Sequence, residues 1–416
     1  MISVFRNFNI QNTLNKRNCS HFWEHLRCIS KASVVTDSYC LKKNEASFKS
    51  LESGDNMKTI RQLQIKEYST STSTAKSKEE SQKFFSYFPG IVQELKGIAE
   101  KYAAFGVGEH FERVLEYNLQ GGKKLRGVSS WQAYQLLVPK DSITEDSLKL
   151  AGYLGWCIEM LHAAILMIDD IMDRSITRRG RLCWYKVEDI QLSAINDAFL
   201  VDAGIYQILK DHFSHMDCYI KILELFHEIS FTTTLGQYLD AKSQQQDVLS
   251  FTMEQYKNIA IHKTSYYGYY LPIASALHLA GYTSPEIFQQ AKEILLEIGL
   301  FFQIQDDFID CFGDPKLTGK IGTDIQDGKC TWLSVTCVQR ATDAQKEIMK
   351  ECYGKDDTEA IARIKQLYEE LSLPDIYATY EKESYNRIKT QIQKISQKVS
   401  GDIFLFFMNK LYNRKA

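Results

Sequence analysis

Apolar residues recur at intervals of three and four along the chain from about residue 77 onward, which is the spacing of an amphipathic helix. This spacing predicts helices over 82–104, 145–173, 194–212, 218–242, 251–282, 285–312 and 357–371. We find no stretch of useful length that alternates between apolar and polar residues, as a half-buried strand would, and no internal repeat. The sequence therefore predicts an all-α fold.

The composition agrees with long helices. Only 6 prolines and 22 glycines occur in 416 residues, and these are the residues that most often interrupt regular structure. Hydrophobic residues make up 44% of the chain, which is enough for a large core. The formal net charge of −2 gives no reason to expect a nucleic-acid partner. Since no apolar run approaches the roughly 18–20 residues that cross a bilayer, we also expect no membrane span.

The first 76 residues differ from the rest of the chain. Before residue 37 they contain one acidic residue, Glu24, and five basic ones, Arg6, Lys16, Arg17, Arg27 and Lys31. A basic, hydroxyl-rich and acid-poor start is typical of an organelle transit peptide. We therefore predict a mitochondrial transit peptide and disordered linker over 1–76 and an all-α catalytic domain over 77–416. The alternatives are a merely disordered tail and a shorter cytoplasmic product that starts at Met57.

Two acidic clusters follow apolar runs. The first consists of Asp169, Asp170 and Asp173, and the second consists of Asp306, Asp307 and Asp310. Because the first and last carboxylates of each cluster are four positions apart, they share one face of a helix, where like charges destabilise it by roughly 0.2–0.5 kcal/mol. A cation between the clusters would offset this repulsion, and Mg2+ takes hard oxygen ligands and bridges carboxylates to phosphates. The two clusters together predict a magnesium site that also binds phosphate.

Basic residues alternate with the acidic clusters along the chain. They are Lys123 and Arg126 in a glycine-bracketed group, Arg178 and Arg179 after the first acidic cluster, and Lys263, Lys320 and Lys329 further along. Any one of them alone is more typical of a solvated surface. Arginine, however, can bind phosphate through two N–H groups and lysine acts as a point charge. The alternation therefore indicates substrates that carry diphosphate.

The order and spacing of several blocks resemble those of trans-isoprenyl diphosphate synthases, most closely the farnesyl diphosphate synthases of animals, including insects. The blocks are GGKKLRG, DDIMDRSITRRG, GQYLDA, HKTSYYGYYLPIA, FFQIQDDFID and GKIGTDIQDGKCTW. The resemblance extends from about residue 80 to 416, or about four-fifths of the chain. It implies an isoprenoid-synthase-type helical bundle around a deep central pocket, usually in a homodimer.

The resemblance also implies roles for the acidic and basic residues. The six aspartates would hold three Mg2+ ions, for which Mn2+ would be a substitute, and Asp169, Asp173 and Asp306 would be the direct ligands. The diphosphate of the allylic substrate would be held by Arg178, Lys263 and Lys320. A second site, for isopentenyl diphosphate, would contain Gly122, Lys123, Arg126, His162, Arg179 and Arg414. Lys329 is a further candidate substrate-binding residue.

The implied reaction is the head-to-tail condensation of isopentenyl diphosphate with dimethylallyl or geranyl diphosphate. Its product would be farnesyl diphosphate or a neighbouring chain length. The candidate catalytic residues are Lys263, Thr264, Gln303 and Lys320, of which Thr264 and Gln303 match positions that place oxygen dipoles near the developing carbocation.

The residues before the first acidic cluster depart from the family pattern. Animal farnesyl synthases have two bulky aromatic residues where this chain has Ala164 and Ile165, which opens the pocket floor, because alanine in place of phenylalanine removes most of a ring's volume. His162 stands where those synthases have glutamine. Two interpretations accommodate these changes. In the first, the enzyme makes a product of a different chain length, for example twenty carbons. In the second, it is a terpene synthase that ionises and cyclises farnesyl diphosphate. A third interpretation is a non-catalytic subunit of a heteromeric prenyl synthase.

Overall fold

A computed structural model describes residues 82–314, 322–395 and 400–411, and these fall in one compact unit. The first part contains α1 (Phe88–Tyr102), α2 (Val107–Leu119), α3 (Leu125–Leu137), α4 (Glu145–Met172), α5 (Ala194–Phe213), α6 (Tyr219–Ser243), α7 (Met253–Ala260), a π-helix (Ile261–Tyr270), α8 (Leu271–Leu279) and α9 (Pro285–Phe312). The remainder contains α10 (Trp332–Arg340), α11 (Asp343–Cys352), α12 (Thr358–Glu370), α13 (Leu373–Gln393) and α14 (Asp402–Leu411). The predicted all-α fold is confirmed.

Strands are limited, within the described residues, to one two-stranded ribbon. In it β1 (Thr177–Arg178) pairs antiparallel with β2 (Arg181–Leu182). The ribbon follows α4 and contains the tandem arginines Arg178 and Arg179. Its strands are two residues long, which is too short to show the alternation that identifies a strand in a sequence.

Helix α4 is the central helix of the larger core, and α3 and α5 pack against it. It begins with a capping box, in which Thr144 accepts from the backbone N–H of Ser147 and the Ser147 hydroxyl accepts from that of Thr144. Trp156 on α4 is buried, and so are Trp184 and Trp332. A second, smaller core surrounds Trp332 between α7, α9, α10, α12 and α13.

Helices α3 and α4 cross at two glycines. A Cβ atom at Gly127 would lie 2.6 Å from the carbonyl oxygen of Gly155, and one at Gly155 would lie 2.7 Å from the carbonyl oxygen of Gly127. Any side chain at either position would collide with backbone. The start of α3 is therefore in direct backbone contact with the middle of α4.

Helix α4 is also long and apolar enough to cross a membrane by length and composition. However, 83% of its most apolar window is buried inside the protein, as in the core helix of a globular protein. The apolar character of α4 is therefore accounted for by its packing against α3 and α5.

The π-helix lies between α6 and α9, and both neighbours approach it through a glycine. A Cβ atom at Gly236 on α6 would lie 2.1 Å from the backbone nitrogen of Lys263, and one at Gly299 on α9 would lie 2.4 Å from Oγ of Ser265. Short π-helical turns within α-helices are frequent at functional sites. Here the widened turn carries Lys263 and Thr264.

Candidate active site

The first acidic cluster occupies the last turn of α4, and lysines from distant segments bind it. Lys263 Nζ donates to Asp169 Oδ1 at 3.0 Å, and Gln237 Nε2 donates to the same oxygen at 3.2 Å. Lys329 Nζ donates to Asp173 Oδ2 at 2.5 Å. Burial disfavours the ionised form of Asp169, but Lys263, Lys329 and Arg178 outweigh burial and hold the pKa of Asp169 below its usual range. The carboxylate of Asp169 is thus kept charged.

A third carboxylate, from Asp240 on α6, belongs to the same group. Lys263 Nζ donates to Asp240 Oδ2 at 2.6 Å, and Lys329 Nζ lies 3.8 Å from that oxygen. Asp240 is buried, and burial opposes its ionisation, but Lys263 and Lys329 lower its pKa. The sequence alone did not predict Asp240 or Gln237 as site residues. The only signal for them was their place in the GQYLDA block.

The second aspartate of the first cluster has a different partner. Arg178, on the ribbon, donates from Nε to Asp170 Oδ1 at 2.9 Å and from a terminal nitrogen to the same atom at 2.5 Å. The other oxygen that Arg178 reaches is Asp169 Oδ2, at 3.3 Å. Burial raises the pKa of Asp170 in spite of this arginine. Asp170 therefore fixes the ribbon against α4, while Asp169 and Asp173 lie one turn apart on a shared face.

The second acidic cluster lies near the end of α9. Asp307 is buried, with Oδ1 accepting from Gln303 Nε2 at 2.9 Å and Oδ2 accepting from the backbone N–H of Trp332 at 2.9 Å. Burial raises the pKa of Asp307 to about 7. One oxygen of Asp307 thus binds a side chain of its own helix and the other binds the start of α10, so Asp307 links α9 to α10.

Asp306 and Asp310 are half-buried, and their spacing places them on one face of α9. Asp310 Oδ1 accepts from the backbone N–H of Asp324 at 3.1 Å. A Cβ atom at Gly322 would lie 1.9 Å from the carbonyl oxygen of Asp310, so the chain passes α9 here with no room for a side chain. Lys320, two residues earlier, lies outside the described residues.

The candidate cation-stabilising residues contact each other. Thr264, on the π-helix, donates its hydroxyl to Gln303 Oε1 on α9 at 2.7 Å, and Gln303 in turn donates to Asp307. This chain of hydrogen bonds runs from the second acidic cluster to the segment that carries Lys263. The structure thus brings Thr264 and Gln303 into direct contact.

The glycine-bracketed loop and the tandem arginines form a second cationic group. Gly122 has a positive φ of 73°, and a Cβ atom there would lie 3.0 Å from Nε of Arg179. Arg126 stacks on the ring of Tyr267 at 4.8 Å and donates to its hydroxyl at 3.2 Å. Lys123 is exposed in the same loop. Arg414, the last predicted member, lies outside the described residues.

Glu159 and His162, on α4, form the floor of this cationic group. Glu159 Oε1 accepts from the backbone N–H of Gly127 at 2.8 Å, and Glu159 Oε2 lies 3.7 Å from His162 Nδ1. Burial and the charge of Arg126 lower the pKa of His162 to about 3, so the imidazole is neutral. Burial opposes ionisation of Glu159, but His162 and Lys124 outweigh it and lower the pKa of Glu159 to about 2. Glu159 was not among the predicted residues.

Ala164 and Ile165 lie on α4 in the turn before the first acidic cluster. Ala164 is buried and Ile165 is half-buried, and both belong to the larger core or pack against it. They are therefore positioned between the core and the acidic residues at the end of α4.

Among the described residues, no three His, Cys, Asp or Glu side chains lie close enough together to hold a metal ion by themselves. Mg2+ does not require such a cage, since it usually keeps several waters and takes one or two carboxylates together with substrate phosphates. The hard oxygen donors of Asp169 and Asp173, one turn apart, fit that manner of binding.

Comparisons with known proteins find related sequences and structures. The polyprenyl synthetase family model matches residues 108–371. The farnesyl pyrophosphate synthase of Rattus norvegicus is 46% identical over 344 residues, which are 81% of this chain and 97% of that one. The corresponding protein of Nezara viridula is 42% identical over 343 residues, 82% of this chain and 84% of its own.

A solved structure shows the same fold. The farnesyl diphosphate synthase of T. brucei, complexed with the bisphosphonate BPH-721, superposes with a TM-score of 0.77 at 31% identity. The match covers 81% of this chain and 100% of that one. With the family model spanning most of the helical region and relatives above 40% identity, the chain belongs to the polyprenyl synthetase family.

Proposed function

We propose that this prenyltransferase condenses isopentenyl diphosphate with dimethylallyl or geranyl diphosphate in a Mg2+-dependent reaction. The product is farnesyl diphosphate or a neighbouring chain length. One observation carries the proposal, namely that the fold holds two separate cationic groups. The first contains Lys263 and Lys329, which bind the aspartates of α4 and α6, and the second contains Arg126 and Arg179 and has few carboxylates near it. Two diphosphate substrates need two such sites, and only one of them needs metal.

Asp169, Asp173 and Asp306 would hold Mg2+, with Asp170, Asp307 and Asp310 supporting them. The family implies three ions, and Mn2+ is a reasonable substitute because it prefers the same oxygen ligands. When bound, the metal would neutralise charge on the diphosphate of the allylic substrate. The salt bridges of Asp169 with Lys263 and of Asp173 with Lys329 support this role, because they show that both carboxylates bind cations.

Arg178, Lys263, Lys320 and Lys329 would stabilise the negative charge that builds on the leaving diphosphate. The C–O bond of the allylic substrate breaks, and the hydroxyl and amide dipoles of Thr264 and Gln303 face the resulting cation. The double bond of isopentenyl diphosphate attacks that cation to form a new C–C bond. The proton released from the isopentenyl unit passes to the departed diphosphate.

Gly122, Lys123, Arg126, His162, Arg179 and Arg414 would hold isopentenyl diphosphate. The neutral state of His162 supports this, because a neutral imidazole accepts or donates a hydrogen bond without adding charge. Gly122 supports it too, since the absent side chain leaves the backbone open to a phosphate beside Arg179.

Product analysis by mass spectrometry tests the proposal. One reaction would contain the full chain, Mg2+, isopentenyl diphosphate and dimethylallyl or geranyl diphosphate, and the other only farnesyl diphosphate and Mg2+. Elongated diphosphates in the first reaction alone are the expected result. A volatile hydrocarbon or alcohol from the second reaction, with no elongation in the first, would instead establish a terpene synthase. No product in either would favour a non-catalytic subunit.

A homodimer is a further part of the proposal. Phe231, Leu235 and Tyr238 form an exposed apolar row on α6, and Phe199 on the neighbouring α5 is 69% exposed. Exposed apolar patches of this kind mark protein interfaces. Light scattering on the full chain should give twice the monomer mass. Phe231→Glu should shift it to the monomer.

We also propose mitochondrial import for the N-terminal extension. The support is compositional, namely the basic and acid-poor start over residues 1–36, and residues 1–81 lie outside the described residues. A fluorescent protein fused after residue 76 should enter mitochondria. The same fusion starting at Met57 should remain in the cytoplasm, and a diffuse signal from both would contradict the proposal.

A further inference from the structure

Lys124, the second lysine of the GGKKLRG loop, is buried in spite of its charge. Only 5% of the residue is exposed, whereas the adjacent Lys123 is exposed. Its backbone has a left-handed φ of 46°, at the N-cap of α3. A left-handed backbone conformation costs conformational free energy in a residue with a Cβ atom. The two consecutive lysines of the loop thus differ in burial, Lys123 being exposed and Lys124 buried. The resemblance to the family assigned no role to Lys124.

The ammonium group of Lys124 lacks a direct partner in the described parts of the chain. Within those parts, its Nζ atom makes no hydrogen bond and no salt bridge. Glu159 attracts it from a greater distance, while Arg179 and Arg126 repel it. Burial lowers the pKa of Lys124 to about 8. A buried cation without a partner is unfavourable unless a ligand supplies the missing charge.

The neighbouring arginines also have unused donors. Nε of Arg126 is buried and has no hydrogen-bond partner in the described residues, although a terminal nitrogen of this side chain donates to Tyr267. Arg179 lies over Gly122, where no Cβ atom intervenes. Glu159 attracts all three of these cations, while Asp306 also attracts Arg126 and Asp170 also attracts Arg179. One oxygen of Glu159 is already bound to the backbone N–H of Gly127. Lys124, the buried member of this group, therefore lies near two further cations and a carboxylate that is already partly occupied.

We propose that Lys124 is a further substrate-binding residue, which donates to the diphosphate of isopentenyl diphosphate and raises the affinity for that substrate alone. This inference rests on the proposed function. Lys124 belongs to α3 and its loop, whereas the carboxylates of the first acidic cluster lie at the far end of α4. Its contribution consequently does not need Mg2+, and it does not extend to the allylic substrate.

Steady-state kinetics with each substrate varied in turn provide the first test. Lys124→Met should raise KM for isopentenyl diphosphate by about 10- to 100-fold, the effect of one lost charge-assisted hydrogen bond. KM for geranyl diphosphate and kcat should both stay within about threefold of the wild-type values, which is less than the tenfold change that 1.4 kcal/mol would produce. Lys124→Arg should restore most of the affinity. Lys140→Met, a substitution of an exposed lysine on the loop after α3, is the matched control and should leave all three constants unchanged.

Calorimetric titration of isopentenyl diphosphate in EDTA provides the second test and needs no turnover. The wild-type affinity should fall between pH 7.5 and 9.5 by about 10-fold more than that of Lys124→Arg, because lysine loses its proton in this range and arginine does not. Glu159 on α4, Arg126 on α3 and Arg179 on the ribbon face Lys124 in both proteins. Lys410 on α14, whose pKa is also lowered by burial, faces Lys123 and is likewise common to both.

The outcomes separate this inference from the proposed function. Parallel pH curves for wild type and Lys124→Arg would overturn the role of Lys124, even if Lys124→Met failed to fold. So would an unchanged KM for isopentenyl diphosphate in a folded Lys124→Met protein that still elongates its substrate. Absence of elongation by the wild-type protein would reject the proposed function instead, and binding in EDTA would still report on Lys124.

Discussion

The ammonium group of Lys263 lies 3.0 Å from a carboxylate oxygen of Asp169, a residue 94 positions earlier in the chain. The same nitrogen lies 2.6 Å from Asp240, so one lysine of the π-helix joins α4 to α6. Such a buried pair is strongly destabilised when one partner is removed, because the other charge is left uncompensated. The acidic cluster is therefore held in place by the residues that would also contact the substrate.

Replacing Asp169 should test its role as a metal ligand. Asp169→Asn should lower kcat by at least about 100-fold, as the loss of one electrostatic contact to a developing charge does in other enzymes. Removal of Mg2+ with EDTA should abolish elongation. The assay is release of diphosphate with geranyl and isopentenyl diphosphates at saturation.

The matched control is Asp146→Asn, at the exposed start of the same helix. It should retain wild-type kcat. Equal activity of Asp169→Asn and Asp146→Asn would remove Asp169 from the proposed site.

Asp306 and Asp307 should respond differently to the same change. Asp307 uses both oxygens inside the protein, so Asp307→Ala should cost about 1–3 kcal/mol of unfolding free energy by leaving the N–H of Trp332 unpaired. Asp306→Ala should instead lower kcat with little loss of stability. Urea unfolding and product formation, measured on both variants, distinguish the two effects. A large stability loss in Asp306→Ala alone would reverse the assignment.

Gly236 should tolerate no side chain. In Gly236→Ala the new Cβ atom would meet the backbone nitrogen of Lys263 at 2.1 Å, and so displace the π-helix with Lys263 and Thr264. We expect a lower melting temperature together with a lower kcat. Gly97→Ala on α1, where no atom lies within 4 Å, should be neutral or stabilise by about 0.4–1 kcal/mol. If both variants had the melting temperature of the wild type, the close contact between α6 and the π-helix would not be needed for stability.

His162 should make stability depend on pH. Its pKa is about 3 in the folded protein, whereas an unperturbed histidine has about 6.5, so the unfolded chain binds more protons between these values. Stability should therefore fall as the pH falls from 6.5. Between pH 6.5 and 4.5 the contribution reaches up to about 2 kcal/mol. Glu159, with a pKa of about 2, contributes in the same direction only below about pH 4.5, the range in which an unfolded glutamate titrates.

Urea unfolding at several pH values in this window checks the prediction. His162→Gln should show a flatter dependence than the wild type, and His215→Gln, at an exposed position, should not. Parallel curves for all three proteins would show that His162 is as accessible to protons in the folded chain as in the unfolded one.

Ala164 should limit product length. Ala164→Phe adds a ring to a buried position one turn before the first acidic cluster, so the longest product should become shorter by at least one five-carbon unit. Overpacking should also cost about 1–3 kcal/mol of stability. Mass spectrometry of the products gives the answer. Ile165→Val, which shortens the next side chain by one methylene, is the mild comparison, and an unchanged product profile in Ala164→Phe would exclude a role for this position.

The long helices and both acidic clusters could be predicted from the sequence because their apolar periodicity is strong. The predicted spans 145–173, 194–212 and 285–312 agree with α4, α5 and α9 to within one residue at each end. Helix α3 was missed, since its buried face includes Ser129 and Ser130 rather than a regular apolar stripe. The long, mostly polar α13 was missed for a similar reason.

The site residues that escaped prediction are those whose role depends on tertiary contacts. Asp240 belongs to a helix whose local pattern is ordinary, and only the fold places it beside Lys263 and Asp169. Glu159 lies in an apolar segment and Lys124 in a basic one. Neither segment indicates that these two charged residues are buried near each other. Domain boundaries, localisation, Lys320 and Arg414 remain predictions, because they depend on residues outside the described ranges.

The crossing of Gly127 and Gly155 has a consequence for how this enzyme family can vary. At this crossing the backbone of α3, which follows the loop proposed for isopentenyl diphosphate, directly contacts the backbone of α4, which carries the first acidic cluster. No side chain separates the two backbones at Gly127 and Gly155, so trimming a side chain cannot bring the helices closer together there. Under the proposed function, a new product length would then come from positions such as the buried Ala164, where a side chain can change size without moving this crossing.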